Sequence, residues 1–208
     1  MAMPNNRVAI AILAKAPIPG LTKTRLIPSI GAHAAAVLQE RMTERTVATA
    51  VAANIGPVTL WCAPDPTHAS FRELTVRHKI TLKRQSDGDL GKRMLAAMIG
   101  PTLVIGADCP ALTENSLRAA ADALRDGADV VLIPAEDGGY VLIGARAVYP
   151  ELFNGMTWGI NTVFAETQAR VKARGLTSIE LPMLWDVDTE TDLARLEREC
   201  PELSLQTN

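Results

Sequence analysis

The chain has little of what usually betrays a small enzyme's chemistry. It holds three cysteines and three histidines in 208 residues. Cys62, Cys109 and Cys200 are widely spaced and odd in number, which argues against a disulfide framework and for a reducing compartment. His33, His68 and His78 show no zinc-type spacing with them. Long apolar runs are missing: Lys15 interrupts the N-terminal one after seven residues, too soon for a signal-peptide core or a membrane span. A cytoplasmic protein without membrane partners is expected. Charge of one sign is also missing, since 21 basic and 23 acidic residues leave a net charge of -2. That excludes a general attraction for nucleic acid and makes any anion site local. Aromatics are only 4% of the chain, so each one outside the core patterns stands out.

Two familiar phosphate loops are absent as well. Before Lys23-Thr24 a Walker A loop would need glycines where Pro17 and Thr22 stand, and two prolines stiffen the segment. No G-x-G-x-x-G follows the first apolar run. A P-loop ATPase is thereby excluded.

What is present is a regular alternation of strand and helix patterns. Strands are expected at 8–14, 57–62, 79–84, 102–107, 129–134, 140–144 and 177–181. Helices are expected at 32–54, 67–75, 89–99, 113–126, 146–153, 160–174 and 189–198. The pattern describes one α/β domain over residues 7–200, with residues 1–6 and 201–208 as loosely held tails. Only Glu136-Asp137-Gly138-Gly139 separates two of the strands, so an antiparallel excursion and a mixed, mainly parallel sheet are expected.

Ligands in such sheets bind where strands end at their carboxyl edge. The first strand runs into Lys15-Ala16-Pro17-Ile18-Pro19-Gly20, then Lys23-Thr24-Arg25. Two cations two residues apart in an extended loop can face one phosphate, and Gly20 lets backbone N–H groups come near it. A solvated basic loop is the bland alternative. The strand at 102–107 delivers Asp108 to the same edge, while Thr113 with Glu114 and Ser116 looks like the next helix cap. Cys109 reads as a buried packing thiol. In Trp185-Asp186-Val187-Asp188-Thr189, one residue can cap the last helix and leave a carboxylate free. Asp108 and Asp188 together suit Mg2+ (or Mn2+), which takes one or two carboxylates plus phosphate oxygens and water. With the cations on the opposite side, they would clamp a di- or triphosphate.

Gln85-Ser86-Asp87-Gly88-Asp89-Leu90-Gly91-Lys92-Arg93 follows another strand and opens a helix, where Gly88 permits close approach of a phosphate or base edge. Asp87 and Asp89 read equally as plain caps. Asp137-Gly138-Gly139-Tyr140 is a hairpin turn or a site, Tyr140 offering a stacking face with a hydroxyl. Trp158 sits in a glycine-punctuated segment and either lines a pocket or packs beneath one.

Taken together, Ala14-Lys15-Ala16-Pro17, Gly20-x-x-Lys23-Thr24-Arg25-Leu26, Gly88-Asp89-Leu90-Gly91-x-Arg93-Met94, Gly106-x-Asp108-x-Pro110, Asp137-Gly138-Gly139-Tyr140 and Asp186-Val-Asp188-Thr189 resemble the glycosyltransferase-A (GT-A) superfamily of nucleotide-diphospho-sugar transferases and nucleotidyltransferases. Within it, the resemblance is to short bacterial glycosyltransferase-like chains associated with arsenosugar biosynthesis, related to 2-phospho-L-lactate and molybdenum-cofactor guanylyltransferases. It covers about residues 8–196. It implies a Rossmann-like αβα sandwich with a mixed, mainly parallel sheet, a nucleotide or nucleotide-sugar donor over the first half of that sheet and a small-molecule acceptor over the second. Lys23, Arg25 and Asp108 would carry catalysis, and Asp108 and Asp188 would hold the metal. Ala14, Lys15, Gly20, Thr24, Gln85, Gly88, Asp89, Gly91 and Arg93 join Lys23 and Arg25 around the nucleotide, and Asp137, Gly138, Gly139, Tyr140 and Trp158 face the acceptor. Sugar-transferring relatives commonly carry Asp-x-Asp at the metal strand, whereas here position 106 is glycine. A single acid beside a cationic loop looks more like nucleotidyl transfer. Glycosyl transfer is the alternative, a nucleotide-binding module without turnover is a third reading, and a homodimer is compatible with the sequence.

Overall fold

Successive residues along the central strands are apolar on both sides, which is the pattern of a sheet covered on both faces. The computed structural model describes residues 7–205, so the expected tail at 1–6 and the last three residues, 206–208, of the tail expected at 201–208 lie outside the described residues. Seven strands form one sheet: β1 (Ala9–Lys15), β2 (Val58–Ala63), β3 (Thr81–Arg84), β4 (Thr102–Gly106), β5 (Val130–Pro134), β6 (Tyr140–Ala145) and β7 (Ser178–Glu180). Their order is β3-β2-β1-β4-β6-β5-β7. All neighbours run parallel except β6, which is antiparallel to both β4 and β5. The expected antiparallel excursion is therefore real, and its return strand is inserted into the middle of the sheet.

The helices are α1 (Ile27–Ala53), α2 (Ala69–Arg77), α3 (Leu90–Ala97), α4 (Glu114–Arg125), α5 (Val163–Ala173) and α6 (Glu190–Glu199). Ile10, Ile12, Leu103 and Ile105 face one layer with Val47, Phe71 and Leu117. The residues between them, Ala11 and Val104, face the other layer with Met94, Phe153 and Val171. This period of two sorts one core into two sheets of side chains and makes a three-layer sandwich. Burying such a side chain is worth about 1.5–3 kcal/mol.

Four local expectations need correction. The first helix begins at Ile27 rather than 32, with Gly31 breaking its regularity at φ 79°. The helix expected at 146–153 is only a 3-10 turn, Pro150–Leu152, because Pro150 supplies a helix start that Asn154-Gly155 ends at once. The loop carrying Lys23 is not extended: Lys23 is left-handed at φ 46°, and Thr24–Leu26 form a 3-10 turn. Finally, Pro201–Leu203 are held in a 3-10 turn rather than loose. Leu203 is only 5% exposed in a third apolar cluster with Leu26, Leu38, Trp185, Val187 and Leu196. That cluster ties the end of the Lys23 loop to the Asp186 segment, which matters for the site below.

Candidate functional site

Strand order reverses at β1 and β4, since β2 and β3 lie on one side and β6, β5 and β7 on the other. Such a switch point leaves a crevice at the carboxyl ends of the strands. A cleft of about 610 Å3 opens there. A second, smaller depression of about 250 Å3 lies between α1 and α2, away from these strand ends.

The cleft gathers most of the residues expected from sequence. Ala14, Lys15, Lys23, Thr24, Arg25, Gln85, Arg93 and Asp108 line its first half, and Asp137, Gly139, Tyr140, Trp158 and Asp188 also face it. Gly20, Gly88, Asp89, Gly91 and Gly138 do not line it. Asp89 caps α3 by accepting from the Lys92 backbone N–H at 2.8 Å, and the Gly88 carbonyl accepts from Arg93 Nε at 3.0 Å. Gly91 makes room for Trp158: a Cβ there would meet the indole at 2.6 Å. Gly138, at φ 88°, lets the hairpin turn approach the Asn161 carbonyl, which a Cβ would meet at 2.1 Å. These glycines shape the walls from behind.

Gln85 closes the gap between strand ends. Its Nε2 donates to the Ala14 carbonyl at 3.0 Å and the Trp61 carbonyl at 2.9 Å. Trp158 stacks on Phe153 with ring centroids 6.5 Å apart, so it belongs to the wall and the core together. The Tyr140 hydroxyl points to Met94 Sδ at 3.9 Å, and burial pushes it above its ordinary pKa. Its ring, not its hydroxyl, is what it brings to the cleft.

The cations do not stand across from the acids as the spacing suggested. Lys23 Nζ donates to the Val187 carbonyl at 2.6 Å and approaches Asp108 Oδ2 at 3.5 Å, while Arg25 is ion-paired with Asp188. Asp108 turns its other oxygen toward Gly106, where a Cβ would lie 2.5 Å from Oδ1. The missing second acid at position 106 is thus also a steric allowance for Asp108.

Sequence reasoning missed three residues. Asp186 lines the cleft, and its carboxyl is pushed up to about 6, first by burial and then by the charges of Asp108 and Asp137. A signal for it exists: Trp185 and Val187 are buried at 4% and 0% exposure, so the acids between and after them share the open side. Thr22 and Gln39 are the other two. Thr22 Oγ1 donates to Gln39 Oε1 at 3.3 Å, and Gln39 Nε2 donates to Thr43 Oγ1 at 3.1 Å, a buried chain beneath the loop. No periodicity marks such a chain in advance.

The acid segment is held from both ends. Asp192 accepts from the backbone N–H groups of Asp188 and Thr189 at 3.0 and 2.6 Å, which frees Asp188 from capping. Arg195 lies over the Trp185 ring at 4.4 Å and grips both Glu136 oxygens at 2.9 Å. A carboxylate such as Asp186, whose ionisation is opposed by burial and by its acidic neighbours, is a donor that a hard dication relieves. Among the described residues no three His, Cys, Asp or Glu side chains form a ready-made metal cage. Mg2+ fits that arrangement, because it completes its shell with phosphate oxygens and water. The cysteines play no part: all three are buried, and burial pushes the Cys62 and Cys109 thiols up to about 12. No helix among the described residues is long and apolar enough to cross a membrane.

Residues 46–160 match the family model DUF2064, described as an uncharacterized protein conserved in bacteria. The chain belongs to this family. The DUF2064 match takes in Asp108, the Asp137–Tyr140 turn and Trp158, and stops short of both the Lys23 loop and the Asp186 segment. No curated protein matches the sequence. Among solved structures, a proposed nucleotide-diphospho-sugar transferase from Desulfovibrio desulfuricans G20 superposes with a TM-score of 0.80 at 27% identity, covering 93% of this chain and 88% of that one. A nucleotidyl transferase from Methanothermobacter thermautotrophicus superposes at 0.61 with 15% identity, covering 92% and 96%. The 4-diphosphocytidyl-2C-methyl-D-erythritol synthase from Anaerococcus prevotii DSM 20548 does so at 0.60 with 13% identity, covering 95% and 98%. This DUF2064 chain has the fold of nucleotide-diphospho-sugar transferases and nucleotidyltransferases.

Proposed function

We propose that the chain is a nucleotide-dependent transferase that moves a nucleotidyl group from a nucleoside triphosphate to a small phosphorylated or hydroxylated acceptor, with Mg2+ or Mn2+ as cofactor. The observation that carries this reading is the meeting of Lys23 and Arg25 with Asp108, Asp186 and Asp188 at the carboxyl ends of β1 and β4. Asp108 and Asp186, with Asp188 beside them, would hold the metal. Bound there, the metal would supply a Lewis acid that neutralises charge on the phosphoryl oxygens. Lys23 and Arg25, which line the same cleft, would neutralise the charge that develops on the α-phosphoryl group and the leaving pyrophosphate. An acceptor oxygen forms the new bond to the α-phosphorus in line, the α–β bridging bond breaks, and pyrophosphate leaves. Ala14, Lys15, Gln85 and Arg93 line the half of the cleft where the nucleoside would rest, and Tyr140, Trp158 and the Asp137 turn line the acceptor half.

A second reading, transfer of a sugar from a nucleotide-diphospho-sugar, is favoured by the likeness to the Desulfovibrio protein. The two separate in one experiment: thermal unfolding with a panel of nucleoside triphosphates and nucleotide sugars, with and without Mg2+. A ligand that binds only the folded chain stabilises it by RT ln(1 + [L]/Kd). A Mg2+-dependent shift with one triphosphate, lost in Asp108→Asn, supports nucleotidyl transfer and names the base. A shift with a nucleotide sugar alone turns the reading to glycosyl transfer, and no shift with either at millimolar ligand refutes both.

A further inference from the structure

Lys23 is placed where a metal would be expected to act. Its side chain is 5% exposed, and its ammonium is shared between the Val187 carbonyl at 2.6 Å and Asp108 Oδ2 at 3.5 Å. Its charge also bears on Asp186 and Asp192. The placement is enforced. Lys23 is left-handed, Thr22 before it is anchored by hydrogen bonds through Gln39 to Thr43, and Leu26 after it is fully buried against the cluster that contains Val187. A left-handed conformation at a non-glycine residue is strained, so the surroundings must over-determine it. An ammonium and a dication cannot both neutralise Asp108 at close range without repelling each other.

We infer that Lys23 is a tethered counterion: it neutralises the carboxylates while they hold no metal, and it is released to the phosphates when a metal takes its place. This inference rests on the nucleotide reading above. Its consequence is that metal and polyphosphate depend on each other. Metal alone must displace a buried ammonium that then has no partner, whereas metal arriving with a polyphosphate finds the ammonium a new anion. Binding linked in this way is reciprocal, with typical factors of about 5–150.

The test is binding of Mn2+ alone, followed by the electron paramagnetic resonance of the free ion. Wild type is compared with Lys23→Met, with Lys23→Gln, which keeps a donor for the Val187 carbonyl, and with Lys15→Met. Lys15 lines the same cleft with the same charge, and although its backbone pairs in the sheet opposite Ala63, its side chain makes no hydrogen bond or ion pair among the described residues. Both Lys23 variants should bind Mn2+ about tenfold tighter, and Lys15→Met should stay within about twofold of wild type. A second readout needs no substitution. Acylation of the Lys23 amine, followed by mass spectrometry, should be slow in metal-free protein, faster with Mg2+ alone, and slow again with Mg2+ and inorganic tripolyphosphate together. Equal Mn2+ affinity in wild type and the Lys23 variants, an equal gain in Lys15→Met, or Lys23 acylation indifferent to Mg2+ overturns the inference. If wild type still binds a triphosphate with Mg2+, only the counterion role falls; if it binds none, the nucleotide reading falls with it.

Discussion

Replacing Asp186 by Asn should stabilise the free protein at neutral pH. The Asp186 carboxyl has its pKa raised from 3.8 to about 6 by burial and by the charges of Asp108 and Asp137. The folded state therefore holds a proton that the unfolded chain has already lost between pH 3.8 and about 6. Ionised Asp186 thus costs stability in full above about pH 6, and the cost fades as the pH falls to 3.8. A shift of about two units corresponds to about 3 kcal/mol. The carboxyl is open to water on its cleft side, so solvent screening reduces the expected gain to about 1–2 kcal/mol. For a domain of this size that raises Tm by about 2–8 °C. The assay is thermal or urea unfolding of wild type and Asp186→Asn at pH 8 and pH 4, without divalent ions. The variant should be more stable at pH 8 and nearly equal to wild type at pH 4. Addition of Mg2+ at pH 8 should narrow the gap, since the ion relieves the repulsion only in wild type. A variant that is less stable at pH 8, or shifted equally at both pH values, would refute the argument that crowded carboxylates strain the site.

Two further outcomes follow from the same geometry. Gly91→Ala places a Cβ 2.6 Å from the Trp158 indole, which is wedged on Phe153 and cannot retreat freely; it should cost about 1–3 kcal/mol in unfolding free energy and alter Trp158 fluorescence, and an unperturbed protein would remove Gly91 as the seat of that ring. At the opposite end of the sheet, Asp129 is held at about 2 by the backbone and hydroxyl of Thr177 and by Arg146, so its contribution is complete above its ordinary 3.8 and is lost as the pH falls through about 2. Asp129→Asn should accordingly lower Tm at pH 7 and make less difference near pH 2, and NMR titration of wild type should find this carboxyl among the last to protonate.

Strand and helix positions were legible because they rest on local periodicity. Continuous apolar runs such as Val130–Pro134 can be satisfied only by a covered sheet, and a four-residue turn before Tyr140 can be satisfied only by antiparallel pairing. Helix starts marked by side chains that accept backbone N–H groups, Thr113 and Asp89, were readable for the same reason. The structure departs from the local pattern where distant contacts overrule local preference. Nothing in Pro201–Leu203 announces that Leu203 will fill a gap between Leu196 and Trp185. Likewise, spacing placed Lys23 and Arg25 side by side, but the left-handed turn at Lys23 sends one ammonium inward and leaves the guanidinium outside.

By itself, then, the sequence determined the α/β alternation, the absence of disulfide or zinc chemistry in its pattern, and which strand ends carry acids and cations, because these depend on residues near one another in the chain. Only the tertiary structure decided which groups meet. Lys23 and Val187 are 164 positions apart, and Arg25 and Asp188 are 163 apart. Their pairing exists because β1 and β4 lie side by side, the Val187 N–H donates to the carbonyl of Asp108 just beyond β4 at 3.0 Å, and one apolar cluster binds the Lys23 loop to the Asp186 segment. Asp186 acquires its strained carboxyl from the same folding, since burial and neighbouring charge are properties of the assembled cleft.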